Sequence, residues 1–265
     1  MPRRKLAGCR AIVTGASSGI GRALAAQLYD SGVELVITAR RADRLRELID
    51  EVQVPGRRII PIDGDITDAE LRRSLVQTAA CELGGLDIVI NNAGVGAIGP
   101  FADADEQRLR HVMEVNFFAP LELIRIALPE LQQGKQPIIV NVGSVLGHCA
   151  VPDKSEYCAS KFALHGFSDA LREELSSQGI DVLLVSPSTT DSEFFTQVID
   201  KPAEGEVAVS PLKMSPQRVA EKIVAAIRRG RREIILSGSG KMLVWGDRLA
   251  PGVVSWFLSR RGESS

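Results

Sequence analysis

Tyr157 and Lys161 stand four residues apart in the stretch EYCASK, and Ser144 precedes them in NVGS. On a helix, side chains at i and i+4 share one face with their β-carbons about 5–6 Å apart, so this phenol and ammonium would occupy a common environment. A phenol with a pKa of about 10 moves protons poorly near neutrality, and a cation within a few Å favours its ionised form. The pair therefore has the makings of a general acid/base, with a serine hydroxyl at hand to hold the oxygen that gains or loses the proton. A protein that supplies only the proton needs its hydride from elsewhere, which is the work of a cofactor.

A place for one occurs early in the chain. The run RAIVT at 10–14 leads into TGASSGIG, with Gly15, Gly19 and Gly21, and directly into the helical pattern of GIGRALAAQLYDSG, whose apolar face is Ile20, Leu24 and Leu28. Glycines between a strand and a helix allow a tight turn, backbone approach to a pyrophosphate and close helix packing; the helix N-terminus adds free N–H groups for the phosphates. The spacing is G-x-x-x-G-x-G, and Ser17, Ser18 and Ile20 fall inside it. The second strand ends in TARRADR, so Arg40 and Arg41 stand where an acidic residue would take the ribose hydroxyl of NAD. A guanidinium fork suits a phosphate, so NADP(H) is the expected dinucleotide. Asp43 falls in the first turn of the next helix, where it serves as an N-terminal charge.

Short apolar runs alternate with segments of helical period along the whole chain. Strands are expected at 10–14, 33–38, 58–62, 86–90, 137–142, 180–185 and 232–236, and a further helix at SPQRVAEKIVAAIRRG with Val219, Ile223 and Ile227 inward. This pattern predicts an α/β protein: one Rossmann-like, doubly wound parallel sheet of about seven strands with helices on both faces, and ligands beyond the carboxyl ends of the strands. No linker or repeat divides residues 1–265, so a single domain is expected, with a core from about 8 to 237 and a C-terminal helix and tail from 238 to 265.

With TGASSGIG at 14–21, NNAG at 91–94, Asn116 in EVNFF, Ser144 in NVGS and YCASK at 157–161, all in order and spacing, the chain resembles the short-chain dehydrogenase/reductase superfamily in its compact form. The resemblance runs from about residue 8 to 237. It implies that Asn116, Ser144, Tyr157 and Lys161 form the catalytic tetrad. Tyr157 would be the general acid/base, Lys161 would hold the nicotinamide ribose and lower the tyrosine pKa, Ser144 would hold the substrate oxygen, and Asn116 would support a water in a proton relay. It also implies cofactor contacts from the glycine turn, from Asp65 with Ile66 beside it, from Asn92, Ala93 and Gly94, and from Pro187 and Thr190, with Asn91 supporting the sheet. Asp65 reads equally as a helix cap with Thr67 and Asp68. The resemblance implies a carbonyl or alcohol substrate and a homodimer or homotetramer formed through long helices near 105–133 and 154–178.

The departures are local. SPSTTDSEF has Ser188 where family members carry glycine and Ser192 where they carry threonine, and Ser18 stands where many NADP-dependent members have a basic residue. Residues 191–213 are expected to form a lid over the substrate, with Phe194, Phe195, Val198 and Ile199 giving an apolar inner face that suits a bulky or apolar compound. His148 and Cys149, just past Ser144, are candidates for the pocket wall, whereas Cys158 is expected to pack away from the tyrosine.

Composition removes other classes of function. A formal charge of −1 over 265 residues draws in neither nucleic acid nor an anionic membrane. Four scattered cysteines and three dispersed histidines give no metal-ligand spacing and suit a reduced, cytoplasmic setting. The segment 241–261 holds Trp245 and Trp256 but is broken by Asp247, Arg248 and Pro251, so it reads as a packed C-terminal helix or as a weak membrane-surface contact. Two other functions fit the pattern less well. A dinucleotide-binding sensor without turnover has no need of the tetrad, and a sugar epimerase or dehydratase usually needs a further substrate domain.

Overall fold

The computed structural model describes residues 4–190, 213–254 and 256. Seven strands, β1 (Arg10–Thr14), β2 (Glu34–Ala39), β3 (Ile59–Asp63), β4 (Ile88–Asn91), β5 (Ile138–Val142), β6 (Asp181–Ser186) and β7 (Glu233–Ile235), form one sheet in the order β3-β2-β1-β4-β5-β6-β7. Every pairing is parallel. The strands begin and end within one or two residues of the positions that the apolar runs predict. Around the sheet lie α1 (Gly19–Asp30), α2 (Ala42–Val52), α3 (Ala69–Thr78), α4 (Glu106–Met113), α5 (Ala119–Leu131), α6 (Ser155–Ser176), α7 (Pro216–Arg228) and α8 (Gly238–Leu249).

Alternation along β1 shows why the sheet needs helices on both faces. Ala11 and Val13 enter one core with Leu24, Leu28, Ile223 and Ile227 of α1 and α7; Ile12 enters the other with Leu75, Leu123 and Leu171 of α3, α5 and α6. Leu24 and Leu28 are fully buried, each contributing roughly 1.5–3 kcal/mol of transfer free energy. The expected helix signals operate: Ser215 caps α7 by accepting from the Arg218 N–H, Pro216 follows it, and Asp43 stands in the first turn of α2. The long helical stretch expected near 105–133 is not regular α-helix throughout. A π-helical turn, Glu114–Phe118, joins α4 to α5 and carries Asn116.

The helix α6, which carries Tyr157 and Lys161, is tied to the rest by three buried polar links along its length. Glu156 Oε1 accepts from Arg108 Nη2 at 2.6 Å and Nε at 3.0 Å, with both side chains almost wholly buried. Asn116 Nδ2 donates to Ser160 Oγ at 3.0 Å. Asn141 Nδ2 donates to Ser168 Oγ at 2.9 Å, while its Oδ1 accepts from Asn91 Nδ2 at 2.9 Å across β4 and β5. Buried polar groups linked in this way fix one register of helix on sheet, because any slip leaves them unpaired.

Candidate active site

The chain order reverses between β1 and β4, and at the carboxyl end of that junction lies a cavity of about 840 Å³. Size and position are those of a ligand site in an open α/β sheet. Its walls include Gly15, Ser17, Ser18, Gly19 and Ile20 from the first turn, Arg40 and Arg41 after β2, Asp65 and Ile66 after β3, and Asn92, Ala93 and Gly94 after β4. Ser144, Tyr157 and Lys161, with Pro187 and Thr190, complete them. Gly21 and Asn116 stand behind the wall.

The first turn is built around close contacts. Gly15 has φ +67°, and a β-carbon there would lie 2.8 Å from Asn92 Nδ2 and 2.9 Å from Ala93 Cα. At Gly21 a β-carbon would lie 2.2 Å from the Gly15 carbonyl oxygen, inside any tolerable contact. Thr14 locks the two motifs together. Its Oγ1 accepts from the Asn92 and Ala93 N–H groups, each at 3.0 Å, and donates to the Ile90 carbonyl at 3.2 Å. Asn92 Nδ2 returns two bonds to the Thr14 and Gly15 carbonyls. Ser18 occupies the N-cap of α1 without a side-chain cap, and the first turn holds no acidic residue, so those amides are left for an anion. Arg40 is exposed on the rim and Arg41 reaches back to Ser17 Oγ at 3.3 Å.

Asp65 meets both of its expected descriptions. It lines the cavity, and its Oδ1 accepts from the Thr67 N–H and hydroxyl at 2.9 and 2.8 Å; the cap of α3 itself is Asp68. Burial alone would raise its pKa, but those bonds and the charges of Arg40 and His111 outweigh it and hold the carboxyl below its ordinary value.

At the other end, Ser144 ends the β5 segment in extended backbone and accepts from the Leu146 N–H at 3.1 Å, while its side chain hydrogen-bonds Tyr157. Lys161 is buried, 5% exposed, and its Nζ donates to the Val142 carbonyl at 3.0 Å and lies 5.8 Å from the centroid of the Tyr157 ring. The expected depression of the tyrosine pKa is not what this geometry gives. Burial pushes Tyr157 up to about 12, more than the Ser144 bond restores, and burial brings Lys161 down to about 8. Asn116 is fully buried; it exchanges two bonds with the Val95 backbone, each 2.9 Å, besides its bond to Ser160.

Some expectations are corrected. His148 and Cys149 do not line the cavity: both are buried behind it, and His148 Nε2 meets Ser186 Oγ at 2.8 Å. The histidines are dispersed only in sequence, since the His148 and His165 rings lie 4.2 Å apart with Glu233 beside them. Ser188 does not adopt positive φ, so the loop after β6 passes without glycine. Cys158 packs in the interior as expected. The expected lid at 191–213, including Ser192 and the phenylalanines, lies outside the described residues except for Lys213. Residues missed by motif reading also line the cavity: Ile98, Leu146, Val151 and Lys154 near Tyr157, and Gly240 and Leu243 of α8. Only a fold brings α8 there; no local pattern announces it.

A cavity that joins a glycine turn to a serine, a tyrosine and a lysine on a doubly wound sheet is the arrangement of a dehydrogenase class. The family model for short chain dehydrogenases matches residues 10–203, and the chain belongs to that family. It is 32% identical to a dehydrogenase/reductase SDR family protein 7-like of Anopheles gambiae, over 98% of this chain and 85% of the relative. It is 30% identical to a short chain dehydrogenase of Burkholderia cenocepacia whose crystal structure holds NADP, with a TM-score of 0.79 over 90% of this chain and all of the other. A Burkholderia phymatum short chain dehydrogenase/reductase in complex with NAD shares the fold at a TM-score of 0.83 and 23% identity, covering 93% of this chain and 96% of the other. The chain is thus an oxidoreductase of the family whose neighbours bind NAD or NADP.

Proposed function

We propose that the chain acts as one domain that interconverts a ketone or aldehyde and its alcohol with NADP(H). The observation that carries this is the junction of Tyr157, Ser144 and Lys161 with the glycine turn in one cavity. The residues fit a dinucleotide: the Gly15 and Gly21 turn leaves no room for side chains, the α1 amides are uncapped, and at Gly94 a β-carbon would intrude 3.1 Å from Asn116 Oδ1 and 3.7 Å from Lys161 Nζ. Gly15, Gly19 and the α1 N-terminus would hold the pyrophosphate, Arg40 and Arg41 the additional phosphate, and Lys161 the nicotinamide ribose. The bound cofactor would supply the hydride.

The remaining work is protonic. Ser144 Oγ orients the substrate oxygen beside Tyr157 Oη, and Tyr157 gives that oxygen a proton as the carbonyl becomes an alcohol. A phenol near 12 is fully protonated at neutral pH, which is the form that carbonyl reduction requires. Lys161, near 8, remains largely charged there and stabilises the phenolate left behind. Asn116 holds the loop at Val95 and Ser160 in place, and through them the helix that carries the tyrosine. Ile98, Leu146, Val151 and Leu243, which line the same cavity as Tyr157, favour a bulky, apolar substrate. Phe118 and Phe162, exposed on the π-turn before α5 and on α6, support assembly into a homodimer or homotetramer through those helices. Among the described residues no helix is long and apolar enough to cross a membrane.

NADPH consumption against a panel of ketones and aldehydes tests the proposal. Tight NADPH binding without turnover of any member would favour a sensor that has lost its chemistry.

A further inference from the structure

Half of the large apolar side chains exposed among the described residues lie between 242 and 256: Met242, Trp245, Leu249, Val253 and Trp256. On α8, at 100° per residue, Met242, Trp245 and Leu249 fall within an arc of about 60°. They are 75%, 56% and 80% exposed, whereas Gly240 and Val244 on roughly the opposite side are buried, Gly240 against Val145. The helix therefore has two apolar faces, and only one of them is used by the fold.

The charges around the outer face are sorted by sign. Lys241 and Arg248 are exposed beside it, with the Arg248 guanidinium 5.7 Å from the Trp245 ring centroid. Asp247, the one acidic residue of α8, is turned inward and hydrogen-bonds Cys149. An outer face of tryptophan, leucine and methionine on a helix whose own exposed charges are both cations is the composition of a helix that lies in a bilayer interface and prefers anionic lipid. A second copy of this chain would present the same cations to the same cations.

We propose that α8 docks the protein on anionic membrane surfaces, with Trp245 and Leu249 inserted at the headgroup boundary and Lys241 and Arg248 on lipid phosphates. The other side of the same helix lines the cavity through Gly240 and Leu243. Docking thus brings the substrate pocket within about one helix diameter, 10–12 Å, of the lipid. For an apolar substrate this shortens the path from bilayer to Tyr157, a consequence that rests on the proposed oxidoreductase function; the docking itself does not.

Co-sedimentation of the full chain with vesicles of phosphatidylcholine, with or without about one-third phosphatidylglycerol, tests this. The expected result is at least tenfold greater partition onto the anionic vesicles, abolished by high salt. Trp245→Ser with Leu249→Ser should lose binding to both, and Lys241→Gln with Arg248→Gln should lose the preference for anionic lipid. An unchanged circular dichroism spectrum and thermal midpoint in each variant show that the fold is intact. Wild-type protein that stays in the supernatant with anionic vesicles, or a Trp245/Leu249 variant that pellets like wild type, overturns the proposal. Loss of an oligomer in that variant, with no vesicle binding by wild type, overturns it in favour of a contact between copies. No substrate is used, so failure of the oxidoreductase proposal leaves the outcome readable.

Discussion

Lys161 lies one helical turn beyond Tyr157, yet its ammonium donates to the Val142 carbonyl at 3.0 Å and stands 5.8 Å from the phenol ring. The lysine is thus anchored to the end of β5 while its ammonium stays close to the tyrosine ring. Tyr157→Phe keeps the ring, its packing and the lysine but removes the proton. Turnover on any active carbonyl substrate should fall by about 10²–10⁴-fold while NADPH binding, read by fluorescence titration, is unchanged. A variant with wild-type turnover would remove Tyr157 from the acid/base role.

Coenzyme choice should reside in the rim. Arg40→Ala is expected to weaken NADPH binding about tenfold or more and NADH binding far less, because on the proposed reading its guanidinium meets the additional phosphate. Equal losses for the two coenzymes would sink the assignment.

Gly21→Ala should be far more damaging than an ordinary glycine-to-alanine change in a helix. The added methyl meets the Gly15 carbonyl, which is backbone in a turn that cannot withdraw. A loss of about 1–3 kcal/mol in unfolding free energy, or more, is expected together with loss of NADPH binding. Thermal denaturation and titration report the two effects separately.

Acid stability should depend on His148. Burial, helped by the charges of His165 and Arg248, brings its pKa down from 6.5 to about 4. Between these values the unfolded chain binds the proton and the folded chain does not, so stability is intact above pH 6.5 and declines as the pH falls toward 4. The decline should amount to about 3 kcal/mol. Urea denaturation of His148→Asn across this window should show a shallower slope; an identical slope would exclude this histidine as the cause.

Arg108→Ala leaves Glu156 as a buried carboxylate stripped of its cation. Removal of one member of such a pair costs about 3–5 kcal/mol, and because Glu156 precedes Tyr157, kcat should fall even where the fold survives. The double change to Arg108→Met and Glu156→Leu should recover stability, as measured by chemical denaturation.

The sheet was legible because each strand is a short apolar run bounded by turn residues, and the glycine turn and the tyrosine–lysine pair because both are local in sequence. What could not be read there is held by distant partners. Nothing near Glu156, Ser160 or Ser168 announces that they meet Arg108, Asn116 and Asn141, since polar residues on a helix look solvated until the neighbouring helix is known. The π-turn at Asn116 escaped notice because a one-residue insertion leaves the apolar period almost intact. His148 reads as a pocket residue from its nearness to Ser144, but the turn Val145–Gly147 carries it to the far side. The direction of the Tyr157 pKa likewise depends on how deeply the ring is covered, which spacing does not report.

The Thr14 hydroxyl, with two donors and one acceptor around a single oxygen, welds the glycine turn to the neighbouring strand. Arg40, exposed on the rim, takes no part in that bonding. On the proposed reading, an engineer could exchange the coenzyme by rewriting the margin alone, provided the threonine is never touched.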